Sequence, residues 1–195
     1  MIMLGEDRAT RARDEGLMAA AFSAVVITAS LLSCQPTWIK RPQPAYSWVF
    51  QERASVCVSV ADDQIEDVVE AVRAWDQAIG RWKHLEVRTN FAEEGACDYV
   101  IREMPASFVQ NRNVLATVVG IDMREVHMFK GRYEEDALTI TLHELGHVFG
   151  AKHLQGTLMD PHLGRRYTCP DAATVAQVAV NNAVDPSVFT YCKED

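Results

Sequence analysis

Along this chain the spacing of hydrophobic positions changes several times, and each change predicts an element. Ser55 to Val60 (SVCVSV) alternates, placing Val56, Val58 and Val60 on one face as in a half-buried strand. Ile65, Val68, Val69, Val72, Trp75 and Ile79 then follow a helical period, with Asp62 as the expected N-cap and Gly80 as the stop. His84 to Phe91 and Cys97 to Met104 read as strands separated by the turn-like Glu93-Glu94-Gly95-Ala96. Residues 105–113 read as a loop, followed by short strands over Val114 to Gly120 and Arg124 to Phe129. The helical period returns with Leu138, Leu142, Leu145, Val148 and Phe149 and stops at Gly150. Glu134, Glu135 and Asp136 are expected in its first turn, where the helix dipole favours acids. A last helix is expected after Pro170, with Val175, Val178 and Ala179 inward, ending before Asp185-Pro186. There is no internal repeat and no low-complexity tract. Strand, helix, four strands and two helices make an α+β fold.

Composition adds limits. A chain of 195 residues that is 48% hydrophobic has enough apolar surface for one domain with a core and little room for a second. The formal charge of −8, with no basic cluster beyond pairs such as Arg165-Arg166, excludes a nucleic-acid partner from expectation. Leu17 to Leu32 carries no charge and follows Arg8, Arg11 and Arg13. It is shorter than the roughly 20 residues of a membrane-spanning helix and reads as the apolar core of a signal peptide. Its end, Leu31-Leu32-Ser33-Cys34, resembles a bacterial lipobox. That resemblance implies a signal peptide over 1–33 and a lipid anchor at Cys34, hence a membrane-anchored lipoprotein at the cell envelope. An uncleaved membrane anchor and a plain secretory signal are the alternatives, and all three export the domain. Residues 34–52, with Pro36, Pro42 and Pro44, read as a tether, part of which is expected to pack through Trp38, Tyr46 and Trp48 on the domain over 53–195.

Export bears on the cysteines. With Cys34 set aside, Cys57, Cys97, Cys169 and Cys192 remain, and an oxidising compartment permits disulfides among them. Four cysteines allow three pairings. Cys169 with Cys192 would tie the tail beneath the last helix and leave Cys57 with Cys97; this pairing is favoured, and the sequence alone leaves the others open.

The richest chemistry lies in HELGHVFGAKH, His143 to His153. Residues four apart on a helix share a face, so His143 and His147 can aim both imidazoles at one point. Glu144 sits beside the first of them, offset around the helix, where its carboxylate can reach a water on a metal without ligating it. A catalytic zinc also needs a third protein ligand and an open position, and a straight helix cannot supply that ligand. Gly150 can adopt the left-handed conformation that turns the chain, and His153 follows three residues later.

The pattern H-E-x-x-H-x-x-G-x-x-H, complete at His143, Glu144, His147, Gly150 and His153, resembles the long zinc motif of the metzincin metallopeptidases. Gly156-Thr157-Leu158-Met159-Asp160-Pro161 resembles their Met-turn, with Met159 as the methionine beneath the ligands. The Leu-Gly before the second histidine and the Gly-Thr-Leu-Met turn are most similar to the matrixins. The resemblance spans roughly 53–185 and is specific over 143–161. It implies a metzincin-like fold, in which a twisted, mixed five-stranded sheet with an antiparallel edge strand accompanies a long helix, an active-site helix, the Met-turn and a C-terminal helix. The edge strand falls near Val114 to Gly120. It further implies one catalytic zinc ion held by His143, His147 and His153, and hydrolysis of peptide bonds by a zinc-activated water with Glu144 as general base.

The chain departs from the well-known subfamilies in three ways. Leu154 follows the third histidine, Asp160 stands where several have a tyrosine, and no cysteine-bearing propeptide motif precedes the domain. Tyr167 is the nearest substitute for that tyrosine, with nothing in the sequence to support it.

The substrate expected is a peptide or protein lying extended along the edge strand, and the enzyme is expected to be a monomer. His84, His127 and His162 lie outside the motif and read as surface or strand residues, although His162 could border the cleft. Asp98 and Glu103 have no regular spacing of oxygen ligands around them and do not predict a calcium site. The competing reading from another class is an exported, zinc-stabilised binding protein without turnover.

Overall fold

The computed structural model describes residues 52–89, 97–162 and 164–192. The signal peptide, Cys34 and the tether through residue 51 lie outside the described residues.

Among the described residues, five strands and three α-helices form a mixed α+β fold. The chain runs β1 (Glu52–Ser59), α1 (Ile65–Ile79), β2 (Lys83–Arg88), β3 (Tyr99–Met104), β4 (Ala116–Val119), β5 (Glu125–Phe129), α2 (Ala137–Val148) and α3 (Ala172–Asn181). The sheet order is β2-β1-β3-β5-β4. All neighbours are parallel except β4, which runs antiparallel to β5 and forms one edge. The edge strand expected over Val114 to Gly120 is therefore β4.

Register aligns Val58 with Ile101, Ile101 with Val126 and Val126 with Val118. The first three are fully buried, and with Val56, Ala116 and Met128 they make the apolar face of the sheet. Against it pack Val68, Val72, Trp75 and Ile79 of α1, the stripe that the sequence period marked. Helix α2 is buried along nearly its whole length, from Ala137 to Gly146 apart from Leu138. Trp75 fixes it to α1 by donating its indole N–H to the carbonyl of Leu142 at 2.9 Å.

Helix ends differ from expectation in three places. Asp62 does not cap α1; it opens a short 3-10 turn, Asp62–Gln64, and Gln64 precedes the helix without a side-chain cap bond. The acids before α2 lie ahead of its first turn, and the last of them, Asp136, is the N-cap, accepting from the amide of Thr139. Gly80 ends α1 in right-handed geometry, so its role is spatial: an added Cβ would run into the carbonyl of Asp76. In α3, Val175, Val178 and Ala179 are buried, and Asp171 is the N-cap.

Disulfides join Cys57 to Cys97 and Cys169 to Cys192, with Cα separations of 5.8 and 6.0 Å. The first staples β1 to the segment that leads into β3, where Asp98 also accepts from the amide and hydroxyl of Ser55. The second ties the tail to the start of α3. Among the described residues no helix is long and apolar enough to cross a membrane.

Candidate metal centre and active site

Helix α2 carries His143, Glu144 and His147 and ends in a Schellman turn. The amide of Ala151 donates to the carbonyl of Gly146 at 2.8 Å, and that of Gly150 to His147 at 3.0 Å. Gly150 has φ +95°, the left-handed conformation that a side chain resists. Asn181, the last residue of α3, and its C-cap Asn182 hold the turn from outside. The Asn181 side-chain amide donates to the Gly150 carbonyl at 2.6 Å, and that of Asn182 to Phe149 at 2.8 Å. The chain reverses there, and His153 comes back against His147.

The three imidazoles converge, with candidate ligand atoms all within 4.8 Å of one another. This is the sole grouping of three or more such side chains found among the described residues. Hydrogen bonding fixes the tautomers of two rings. Nδ1 of His143 donates to the carbonyl of Leu158 at 2.7 Å, and Nδ1 of His147 donates to Ala151 at 2.9 Å. Each Nε2 is then left with its lone pair, the form a metal requires.

Several observations fit a bound cation. Nε2 of His143 is buried without a hydrogen-bond partner. The Nε2 atoms of His147 and His153 lie 3.1 Å apart, near the spacing of two nitrogens on one tetrahedral zinc with bonds of about 2.0–2.1 Å. Burial holds the His143 imidazole down to about 3 and that of His147 down to about 4, and it lowers His153 as well. All three are therefore uncharged near neutrality. His143 is buried and His153 exposed, so the cluster opens to solvent on the side of the third ring.

Glu144 is fully buried beside this cluster. Burial pushes its carboxyl up to about 7, opposed by the main-chain N–H of Val118. The orientation of that amide follows from strand pairing. Leu115 accepts from the amide of Phe129, and antiparallel alternation then turns the polar groups of Val118 away from β5, toward the open edge. Edge strand and carboxylate thus face each other.

Beneath α2 lies a tight turn, Thr157 to Asp160, closed by the amide of Asp160 donating to Thr157 at 3.0 Å. Leu158 and Met159 within it are fully buried. Met159 presses its sulfur against Gly146, between the two helical histidines, where any Cβ would collide with it. The Asp160 carboxylate accepts from the amides of Gly156 and His162.

Other candidates are committed elsewhere. Tyr167 packs on α2, exchanging hydrogen bonds with Thr139 through its backbone, and its phenol accepts from Arg165. His84 pairs with Asp76 and His127 with Glu125. Glu103 accepts from Tyr133 and pairs with Lys130, and Asp98 is held by Ser55.

Asp171 lay outside the motif reading, and Gly146 entered it only as part of the matrixin-like Leu-Gly pair, with no structural role. Asp171, besides capping α3, accepts from the amide of Leu158 at 2.6 Å. Its position after Pro170 signals a cap, and nothing in the sequence reveals the second bond. Gly146, a glycine inside a helix, costs about 1 kcal/mol relative to alanine, and that cost is the signal that something needs its space.

No protein-family profile matches the chain, and neither does any curated protein sequence. Among solved structures the fold is similar to archaemetzincin from Methanopyrus kandleri, with TM-score 0.46 and 15% identity, covering 67% of this chain and 96% of that one.

Proposed function

We propose that this protein is a zinc-dependent endopeptidase. The observation that carries the reading is the convergence of three neutral imidazoles, two with Nδ1 tethered to backbone carbonyls, next to the buried carboxylate of Glu144. His143, His147 and His153 would hold the ion through ring nitrogens. Zinc, when bound, supplies a Lewis acid that polarises the scissile carbonyl and acidifies water.

The chain's own residues do the remainder. Glu144 takes a proton from the attacking water on its carboxylate and returns it to the leaving nitrogen. Its raised pKa in the metal-free protein suits a base working near neutrality, and a divalent cation nearby would draw that value down. The outward carbonyl of Val118, whose amide faces Glu144, offers an extended peptide a main-chain bond of an added strand. Met159, seated under Gly146, keeps the two helical histidines at a fixed distance from the turn, as the methionine of the metzincin Met-turn would.

The domain works outside the cytoplasm on this reading, anchored by a lipid on Cys34 or secreted. Two disulfides in one small domain support an oxidising compartment. Intact mass of the mature N-terminus decides between the two: a diacylated Cys34 supports the anchor, and a free N-terminus elsewhere refutes it.

The test of the activity compares the purified protein with Glu144→Ala. One bound zinc in each, with cleavage of an unfolded protein substrate by the unmodified chain alone, upholds the proposal. Zinc in both and cleavage by neither would leave the zinc-stabilised binding protein as the better reading.

A further inference from the structure

Arg132 lies in the connection between β5 and α2, yet its side chain serves the loop between β3 and β4. Nη1 donates to the carbonyls of Asn111 at 2.9 Å and Val114 at 3.1 Å, and Nη2 donates to that of Ala106 at 3.0 Å. The guanidinium also sits 5.9 Å from the ring centroid of Phe129. Three carbonyl dipoles of one loop therefore converge on a single cation. Such oxygens repel one another unless a positive charge fills the space between them, and the planar fork of arginine meets several at fixed angles where an ammonium would act as a point charge.

The loop's own bonds are short in range. Phe108 donates to Pro105, Val109 to Ala106 and Val114 to Asn111, while the amide of Asn113 donates to the Asn111 side chain. None of these ties its two ends to the rest of the domain. Arg132 does so, and its own amide donates to Phe129, the last residue of β5. Immediately after Val114 comes Leu115, whose carbonyl accepts the first rung of the β4–β5 ladder, and three residues further is the amide that faces Glu144.

We propose that Arg132 is a positioning residue for the substrate-binding edge: its guanidinium is a built-in cation that shapes residues 106–114 and so sets β4 alongside Glu144. The link to substrate rests on the peptidase reading above; the ordering of the loop stands apart from it.

The test uses the zinc-loaded full chain, unmodified and as Arg132→Ala and Arg132→Lys. Hydrogen exchange is followed over residues 106–119, and kcat and KM are measured on an unstructured peptide. In Arg132→Ala, amides of this segment should exchange about tenfold faster or more, as expected when charge-assisted hydrogen bonds are lost. KM should rise by about tenfold while kcat changes by less than about threefold, the pattern of lost uniform binding. Zinc content should stay at the unmodified level. Arg132→Lys should fall between the two, and millimolar methylguanidinium, but not methylammonium, should restore the Ala variant. Unchanged exchange in Arg132→Ala, or a Lys variant equal to the unmodified protein, would overturn the proposal. If Arg132→Ala does not fold, the Lys variant decides by the same exchange and KM criteria. A chain that cleaves no peptide at all refutes the peptidase reading, while the exchange comparison still decides whether Arg132 orders the edge.

Discussion

His143 and Asp171 are joined through one residue: the carbonyl of Leu158 accepts from Nδ1 of His143, and the amide of Leu158 donates to the carboxylate of Asp171. A buried carboxylate anchors Leu158 and so holds the histidine's acceptor in place; the cap of the last helix thereby supports the orientation of a candidate ligand on α2.

Replacing Asp171 therefore has two expected effects. The carboxylate accepts from Leu158, Ala173 and Thr174 amides and from the Thr174 hydroxyl. Asp171→Ala should cost about 2–4 kcal/mol of stability from the lost cap and the stranded donors. Zinc affinity should also fall by about 10–100-fold. Urea unfolding and a competitive chelator titration measure the two separately; a destabilised variant with unchanged affinity would show that Asp171 only caps.

Gly146→Ala should destabilise although alanine favours helices. The propensity gain of about 1 kcal/mol is outweighed by overpacking against Met159 and Trp75, for which about 1–3 kcal/mol is usual. Combined with Met159→Ala, the same substitution should cost less or become favourable. Thermal unfolding of the four proteins in the cycle checks this, and additive effects would argue against the contact.

Acid should weaken the metal-free protein in a defined window. His143 and His147 have folded values of about 3 and about 4, below the ordinary 6.5, because burial penalises the imidazolium. Between those values the two histidines bind more protons in the unfolded chain, which outweighs the single proton that Glu144, raised to about 7, keeps in the folded one, so stability rises with pH. The stabilisation is present above pH 6.5 and is lost as pH falls toward 4 and then 3. Unfolding temperatures in chelator from pH 7 to pH 4 should decline, and His143→Gln should flatten the decline.

Zinc should raise the unfolding temperature. An ion that binds only the folded state at 1000-fold above its dissociation constant adds about 4 kcal/mol. Calorimetry with chelator, and then with zinc restored, should show a reversible shift. A chain whose transition ignores zinc does not use these histidines as ligands.

Much of this architecture was legible because burial on one face imposes a period. The α1 stripe from Ile65 to Ile79 and the inward Val175, Val178 and Ala179 of α3 could be read directly, and so could the strands. The motif placed three histidines together because helical spacing and one left-handed glycine are local matters. Helix ends were less legible: Asp62 reads as a cap and Asp136 as a first-turn acid, and only the surrounding chain decides that Asp62 opens a 3-10 turn while Asp136 caps α2. Least legible were contacts between distant segments. Asp171 with Leu158, Arg132 with Ala106, and the fit of Met159 against Gly146 depend on how elements pack, and no local pattern carries that information.

The clamp of Asn181 and Asn182 on the turn at Phe149 and Gly150 bears on the order of biosynthesis. His143 and His147 can align as soon as α2 forms, but the bend that returns His153 is gripped by side chains made some thirty residues later. A chain still being synthesised carries two aligned histidines and a loose third. The complete centre therefore needs α3 in place, so metal loading would come after residues 181 and 182 have been made and packed.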